Sequence, residues 1–322
     1  MIQTTLNPHR FFSKETLLAQ KSLIALLVLV AVVAFLNPNF FTINNFLNIL
    51  QQTSVNAILA VGMTLVILTA GIDLSVGALL ALTGAVAASM IGKDLNLFVA
   101  ITLTLGLGAV VGAMTGTIVA KGKVQAFIAT LVMMLFLKGV TQVFTGGSSI
   151  NIGFSPIAEN FSLISLGRPL GIPSPIWIMF GVFMSAWYLL KQTRFGRYIY
   201  AVGGNESAAR LSGINVDLIK ISVYAICGAL AALASLVEVA RLSSAQSNAG
   251  LGYELDAIAA VVLGGTSLAG GRGFIIGTLI GALILGVLNN GLNVLNVSPY
   301  FQMIVKAIVI LLAVLVDNKA AK

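Results

Sequence analysis

The chain has 322 residues, of which 58% are hydrophobic and 9% charged, with a net charge of +8 and a mean hydropathy of +1.02. A soluble domain carries about 25% charged residues, so this composition describes an integral membrane protein. Apolar runs long enough to cross roughly 30 Å of hydrocarbon recur along the whole chain, which excludes a soluble domain with a single anchor and points to one polytopic bundle.

In chain order, a polar amino-terminal tail at 1–21 holds the only histidine, His9, which reads as a solvated residue. The first apolar run, Ser22 to Leu36, has a charged flank like a signal peptide. It is followed by "NPNFFTINNF" with no small-residue cleavage site, so it reads as a retained first helix. Further spans are expected near 55–70, 76–91, 97–120, 126–144, 175–190, 221–239, 256–270, 274–290 and 303–316, with a short tail at 317–322. Period-2 alternation is absent, and a bilayer accepts only helices or closed barrels, so the class is all-α. Residues 22–316 form one transmembrane domain.

The basic residues orient it. With a cytoplasmic amino terminus, inside segments collect Arg10, Lys14, Lys21, Lys121, Lys123, Lys191, Arg194, Arg197, Arg210, Lys220, Arg272, Lys319 and Lys322. The outside segments 37–54 and 145–174 are nearly free of Lys and Arg. This is the positive-inside pattern, and it gives ten helices with both termini cytoplasmic. Membrane orientation accounts for the positive charge, so nucleic acid is not an expected partner.

Along the spans, Gly108, Gly112 and Gly116 share one helix face, as do Gly277 and Gly281, and small residues at this spacing let backbones pack closely in lipid. Two short spans meet at "GIDLSVG", Gly71 to Gly77, and two more at "GGTSLAGG", Gly264 to Gly271. Aligning Gly71 with Gly265 also pairs Leu74 with Leu268 and Gly77 with Gly271, so a weak internal duplication is one reading of the two turns. Glycine-interrupted short spans in two halves point to a transport path, because broken helices free backbone groups. On that reading Gly71, Asp73, Ser75, Gly264, Gly265, Thr266 and Ser267 are the path residues. On the other, both are tight cytoplasmic turns that use glycine for positive φ. Asp73 is expected to cap the helix that starts near Val76, and Asp256 to cap the run that it begins. Lys138 and Lys306 lie inside apolar segments, from which long basic side chains reach an interface.

The segment 191–220 is the longest inside loop and contains "GGNESAARLSGI". Asn205 suits an N-cap, Glu206 puts negative charge at a helix start and Arg210 positive charge toward its end. Gly213 suits the stop, and Glu206 and Arg210 form an i,i+4 pair. A two-turn helix over about 206–212 is too short to be stable alone, so it needs a tertiary anchor. A short helix presented there, with the small residues Ser207, Ala208 and Ala209, suits insertion into a groove of a soluble partner. A surface helix lying on the bilayer is the alternative.

The chemistry-bearing residues are few. Cys227, the single cysteine, lies in an apolar span as packing, so neither a disulfide framework nor a Cys/His metal site or catalytic triad has its materials. No G-x-x-x-x-G-K-[ST] loop is present for phosphate. No aromatic platform or fixed polar cluster stands out that would identify a ligand.

"GGNESAARLSGI" resembles the cytoplasmic coupling loop of ABC importer permeases, through Glu206, Ala208, Ala209 and Gly213. "GIDLSVG", "AFIATLVMMLFLKGV", "YELDAIAAVVLGGTSLAGGRG" and "GTLIGALILGVLNNGLN" look like segments of the sugar permeases in the branched-chain amino acid and monosaccharide group. The likeness covers most of the chain from residue 42. It departs at Lys138, where the group commonly has Arg, and at "TGGSSINIG" in an outside loop. The resemblance implies a permease subunit of the bacterial inner membrane that is not itself an enzyme, with a monosaccharide, ribose first, as cargo. It also implies a second copy of the chain, a cytoplasmic ATPase subunit that holds the ATP, and a periplasmic sugar-binding protein. A proton-coupled transporter using Asp73 or Asp256 is the competing class, and a channel or scaffold is a third.

Overall fold

The computed structural model describes residues 21–320. The tail at 1–20, with His9, and residues 321–322 lie outside the described residues. The helices are α1 (Lys21–Leu36), α2 (Ile43–Leu68), α3 (Val76–Ile91), α4 (Leu97–Ala120), α5 (Ala126–Thr145), α6 (Pro156–Leu166) and α7 (Ser174–Gln192). They continue with α8 (Arg194–Gly204), α9 (Glu206–Leu211), α10 (Val216–Leu242), α11 (Tyr253–Leu263), α12 (Ile275–Val294) and α13 (Pro299–Ala320). The all-α class therefore holds. Two strands of two residues each, Ile150–Asn151 and Ser244–Ala245, pair antiparallel at one end of the bundle. Among the described residues five helices, α2, α4, α5, α10 and α12, are long and apolar enough to span a membrane.

Local chemistry sets most boundaries. Thr42 accepts a hydrogen bond from the Asn45 amide and starts α2, Asn96 accepts from Phe98 and Val99 at α4, and Ser155 caps α6 ahead of Pro156. Three expectations change. The span expected at 55–70 begins at Ile43, so most of the segment 37–54 is helix and not loop. The span expected at 256–270 stops at Leu263. The segment 145–174, expected as an outside loop, contains α6, which turns by 89° into α7 and buries Phe161. A helix lying across the bundle end lets a connecting segment cover apolar surface that water would otherwise meet.

Of the five spanning helices α2 and α10 are the most enclosed, whereas α4 and α5 turn Leu103, Val110, Met114, Val132 and Leu135 outward. An apolar rim around a packed centre is what a lipid solvent requires. The glycine face of α4 seats on α10 in antiparallel order, Gly108 on Gly228, Gly112 on Tyr224 and Gly116 on Ile221. At Gly112 a Cβ would run into the Tyr224 carbonyl oxygen and come 3.2 Å from the Ala225 Cα. Gly112→Ala is therefore expected to cost about 1–3 kcal/mol by overpacking. Gly106→Ala on the same helix meets nothing within 4 Å and is expected to be neutral or mildly stabilising. Thermal unfolding of the two variants in detergent checks the contrast. Gly277 and Gly281 behave like the first face, seating on Gly264, just past the end of α11, and on Ala260 within it.

Both glycine turns open with the same helix end. Gly71 donates to the Val66 carbonyl and Ala70 to Ile67; Thr266 donates to Val261 and Gly265 to Val262. Ala70 (φ 60°) and Gly265 (φ 84°) are the left-handed residues, which is a Schellman stop in each case. The geometry thus pairs Ala70, not Gly71, with Gly265, one residue away from the alignment expected from the sequence. A Schellman stop ends many unrelated helices, so this likeness is local.

After that stop the first turn is not a tight turn at the bundle end. Its residues 71–75 fold back inside, where the Ile72 carbonyl accepts from the Tyr224 and Thr130 hydroxyls, both at 3.3 Å, and Asp73 lies beside Cys227. Cys227 stands eleven residues into α10, about 16 Å along it at 1.5 Å per residue. Helix α3 therefore starts within the bundle. Helix α11 starts beside it, since Gly250, just before α11, packs on Gly77.

Candidate functional site

Asn205 is extended, and its side chain accepts from the Ala208 amide at 2.9 Å, which starts α9 as expected. Gly213 sits at φ +83°, with its amide bonded to Arg210 and that of Ile214 to Ala209. Glycine enters this left-handed conformation without the Cβ clash that any other residue brings. The i,i+4 pair forms, with Arg210 donating to Glu206 at 3.3 Å. The anchor that so short a helix needs is the start of α10: Arg210 also donates to Asp217 at 2.8 Å, and Lys220 to Glu206 at 2.7 Å.

Ala209 is the buried face of α9, while Asn205, Glu206, Ser207, Ala208, Arg210 and Gly213 are exposed. Leu211, which sequence reasoning passed over, is 90% exposed at its end, and Leu218 projects nearby. The available signal was a lone large apolar residue within a polar segment. The Lys220 hydrogen bond holds the Glu206 carboxyl below its usual range, against a smaller opposing effect of burial. A lowered pKa means that this tie is complete at neutral pH and is lost as the pH falls through and below the ordinary carboxylate range. With both side chains partly exposed, its worth is at most about 1 kcal/mol.

Helix α9 stands at a junction. The preceding Gly203 lies over the backbone bond in which the Gly271 amide donates to the Leu68 carbonyl at 3.0 Å. Gly204 packs on Gly271, and Gly270 on Ala70. The two glycine turns, 195 residues apart by the pairing of Ala70 with Gly265, thus touch each other and the start of the polar segment. A cavity of about 750 Å³ opens between Gly71, Tyr224, the 121–126 loop and the charged side of α9.

The expected path residues divide. Gly71, Asp73 and Ser75 are buried in the re-entrant piece; Thr266 is buried, Gly264 packs on Gly277, Gly265 is exposed, and Ser267 closes a loop by bonding its amide to the Arg272 carbonyl. Asp73 does not cap α3. It accepts from the Ser75 amide at 2.9 Å and hydroxyl at 2.6 Å, and Ser75 is the residue at the cap. Asp256 is no cap either. It lies in the first turn of α11, and both its oxygens accept from Lys306 of α13, at 3.1 and 3.0 Å. Lys306 therefore pairs within the bundle instead of extending to an interface.

Residues 45–314 match the family model described as the permease component of the branched-chain amino acid transport system, and the chain belongs to that family. It is a multi-pass membrane permease. Among individual relatives, it is 70% identical to the ribose import permease protein RbsC of Escherichia coli (strain K12), covering 99% of both chains. It is 51% identical to the protein of the same name in Bacillus subtilis (strain 168), over 92% of this chain and 91% of the other. The D-allose transport system permease protein AlsC of Escherichia coli (strain K12) is 40% identical, over 92% and 90%. No solved structure matches the chain.

Proposed function

We propose that this chain is the membrane subunit of an ATP-driven importer that brings D-ribose across the bacterial inner membrane into the cytoplasm. The names of its relatives support the sugar. The observation that carries the mechanism is α9, exposed, capped, tied to α10 by two ion pairs and standing where both glycine turns meet. A push on α9 reaches the start of α10 and, through Gly203, the end of α2 and the second glycine turn. This suits a helix seated in a groove of an ATPase subunit, with Leu211 as its apolar anchor.

In this reading the chain crosses ten times, α1 to α5, α7 and α10 to α13, with both termini in the cytoplasm and 191–220 as the coupling loop. Two copies form the path, a periplasmic sugar-binding protein delivers ribose at the α6 end, and the nucleotide is held by the ATPase, with no cofactor on this chain. Gly71, Asp73, Ser75, Gly264, Gly265, Thr266 and Ser267 belong to the moving junction.

Reconstitution of the chain with its ATPase and sugar-binding protein in proteoliposomes, run against a panel of pentoses and hexoses, tests this. ATP-dependent uptake with ribose preferred is expected; uptake driven by a proton gradient without the ATPase overturns it. Gly213→Arg forces a side chain into the left-handed region at about 1–2 kcal/mol and distorts the end of α9. Uptake is expected to fall at least tenfold in this variant while ATP hydrolysis continues.

A further inference from the structure

We infer that a polar cavity between α2, α11 and α12 is a subsite for a neutral polyhydroxylated solute on the translocation path. The inference rests on the sugar-import reading above and adds a location to it. Three helices each contribute one stripe to this cavity: Gln52, Thr53 and Asn56 from α2, Asp256 from α11 and Asn289 from α12. None of these stripes looks like a site in the sequence, because the residues are separated by up to 237 positions, Gln52 to Asn289.

The cavity is unusual in what it leaves unpaired. Six buried side-chain polar atoms lack a hydrogen-bond partner among the described residues, and three of them, Thr53 Oγ1, Asn56 Oδ1 and Asn289 Oδ1, belong to residues lining this one space. Thr53 is 4% exposed. A buried oxygen without a partner costs about 1–3 kcal/mol, so a position serving only packing favours Val or Leu. Three residues around one cavity thus hold acceptors in reserve for a solute that brings its own donors.

The charge balance selects the class of ligand. Asp256 is the only acidic group lining the cavity, and Lys306 neutralises it. What remains is amides and a hydroxyl, which suit alternating donors and acceptors of a sugar and offer an ion no net attraction. Depth agrees: Asn56 is near the middle of the 26-residue α2, and Asp256 opens α11, which begins inside the bundle. Substrate sites built on discontinuous helices at mid-depth are a recurrent transporter arrangement. The cavity holds about 50 Å³, below the roughly 300 Å³ of a ligand pocket. It is the closed form of a subsite that widens as the helices move.

The test uses the complete complex in proteoliposomes. Cys227, the only native cysteine of this chain, is buried, so Asn289→Cys gives this chain one reactive reporter, read on its own gel band against the complex without the substitution. A charged, water-soluble thiol reagent is expected to label it, faster during ATP turnover and several-fold more slowly with D-ribose present. Thr53→Val and Asn289→Leu are expected to slow ribose uptake about tenfold each, the loss of one hydrogen bond to a passing hydroxyl. Both should assemble with the ATPase and melt no lower than wild type. Absence of labelling, labelling insensitive to ribose that the wild-type complex imports, or unchanged uptake in both variants overturns the subsite. Failure of the wild-type complex to import ribose overturns the sugar reading instead, and is seen separately.

Discussion

Gly203→Ala is expected to lower sugar uptake by about tenfold to a hundredfold, whereas Gly204→Ala leaves it unchanged. The two glycines are neighbours at the end of α8 and have similar helix propensity, but their surroundings differ. A Cβ at Gly203 would run into the Leu68 carbonyl oxygen and come 2.6 Å from the Gly271 nitrogen; at Gly204 it would meet nothing within 4 Å. The obstructing atoms are backbone, which has no rotamer to yield. The Leu68–Gly271 bond joins the ends of α2 and the second glycine turn, so the methyl group pries apart the junction through which α9 acts on the bundle. Uptake and ATP hydrolysis measured together in the reconstituted complex check this. Equal uptake in the two variants sinks the junction as a coupling element.

How much of this was legible follows from how local each signal is. The polar segment could be read because Asn205, Glu206, Arg210 and Gly213 act within nine positions, and capping depends on near neighbours alone. Its anchor could not be read, because Asp217 and Lys220 become partners only when α9 folds back on α10. Hydropathy marked the apolar spans but missed the first half of α2, where Asn44, Asn45, Asn48, Gln51 and Gln52 depress it, although Thr42 carried a usable cap signal. The early stop of α11 was hidden by the apolar residues before Gly264 and the short loop after it. Asp73 and Asp256 were both misread because a carboxylate near a helix start suits a cap on sequence grounds; Asp73 instead closes a local turn on Ser75, two residues on, and only tertiary packing supplies Lys306 to Asp256. The polar cavity is the extreme case, since its three stripes, on α2, α11 and α12, have no sequence neighbourhood in common.

Lys306→Met is expected to destabilise the protein by about 3 kcal/mol, because it leaves the part-buried Asp256 carboxylate without its counter-charge, with only the 3.5 Å hydrogen bond from Asn56. The pair is bidentate, with both Asp256 oxygens within 3.1 Å of Nζ, and the two side chains are only 22% and 15% exposed. Asp256→Asn strands the ammonium in the same way and is expected to cost a similar amount, reduced where Lys306 reaches water. The double variant Asp256→Asn/Lys306→Met removes both charges and should recover most of the stability, since replacing a buried pair by neutral groups is often close to neutral. A double-mutant cycle on thermal unfolding in detergent measures the coupling directly; strictly additive single losses would show that the pair contributes nothing. Lys306 belongs to α13, which reaches the bundle mainly through α11 and α12, so the loss should appear first as release of that helix. Protease sensitivity of the carboxy-terminal segment in the single variants, restored to wild type in the double, is the expected local signature of an ion pair that fastens α13 to the re-entrant start of α11.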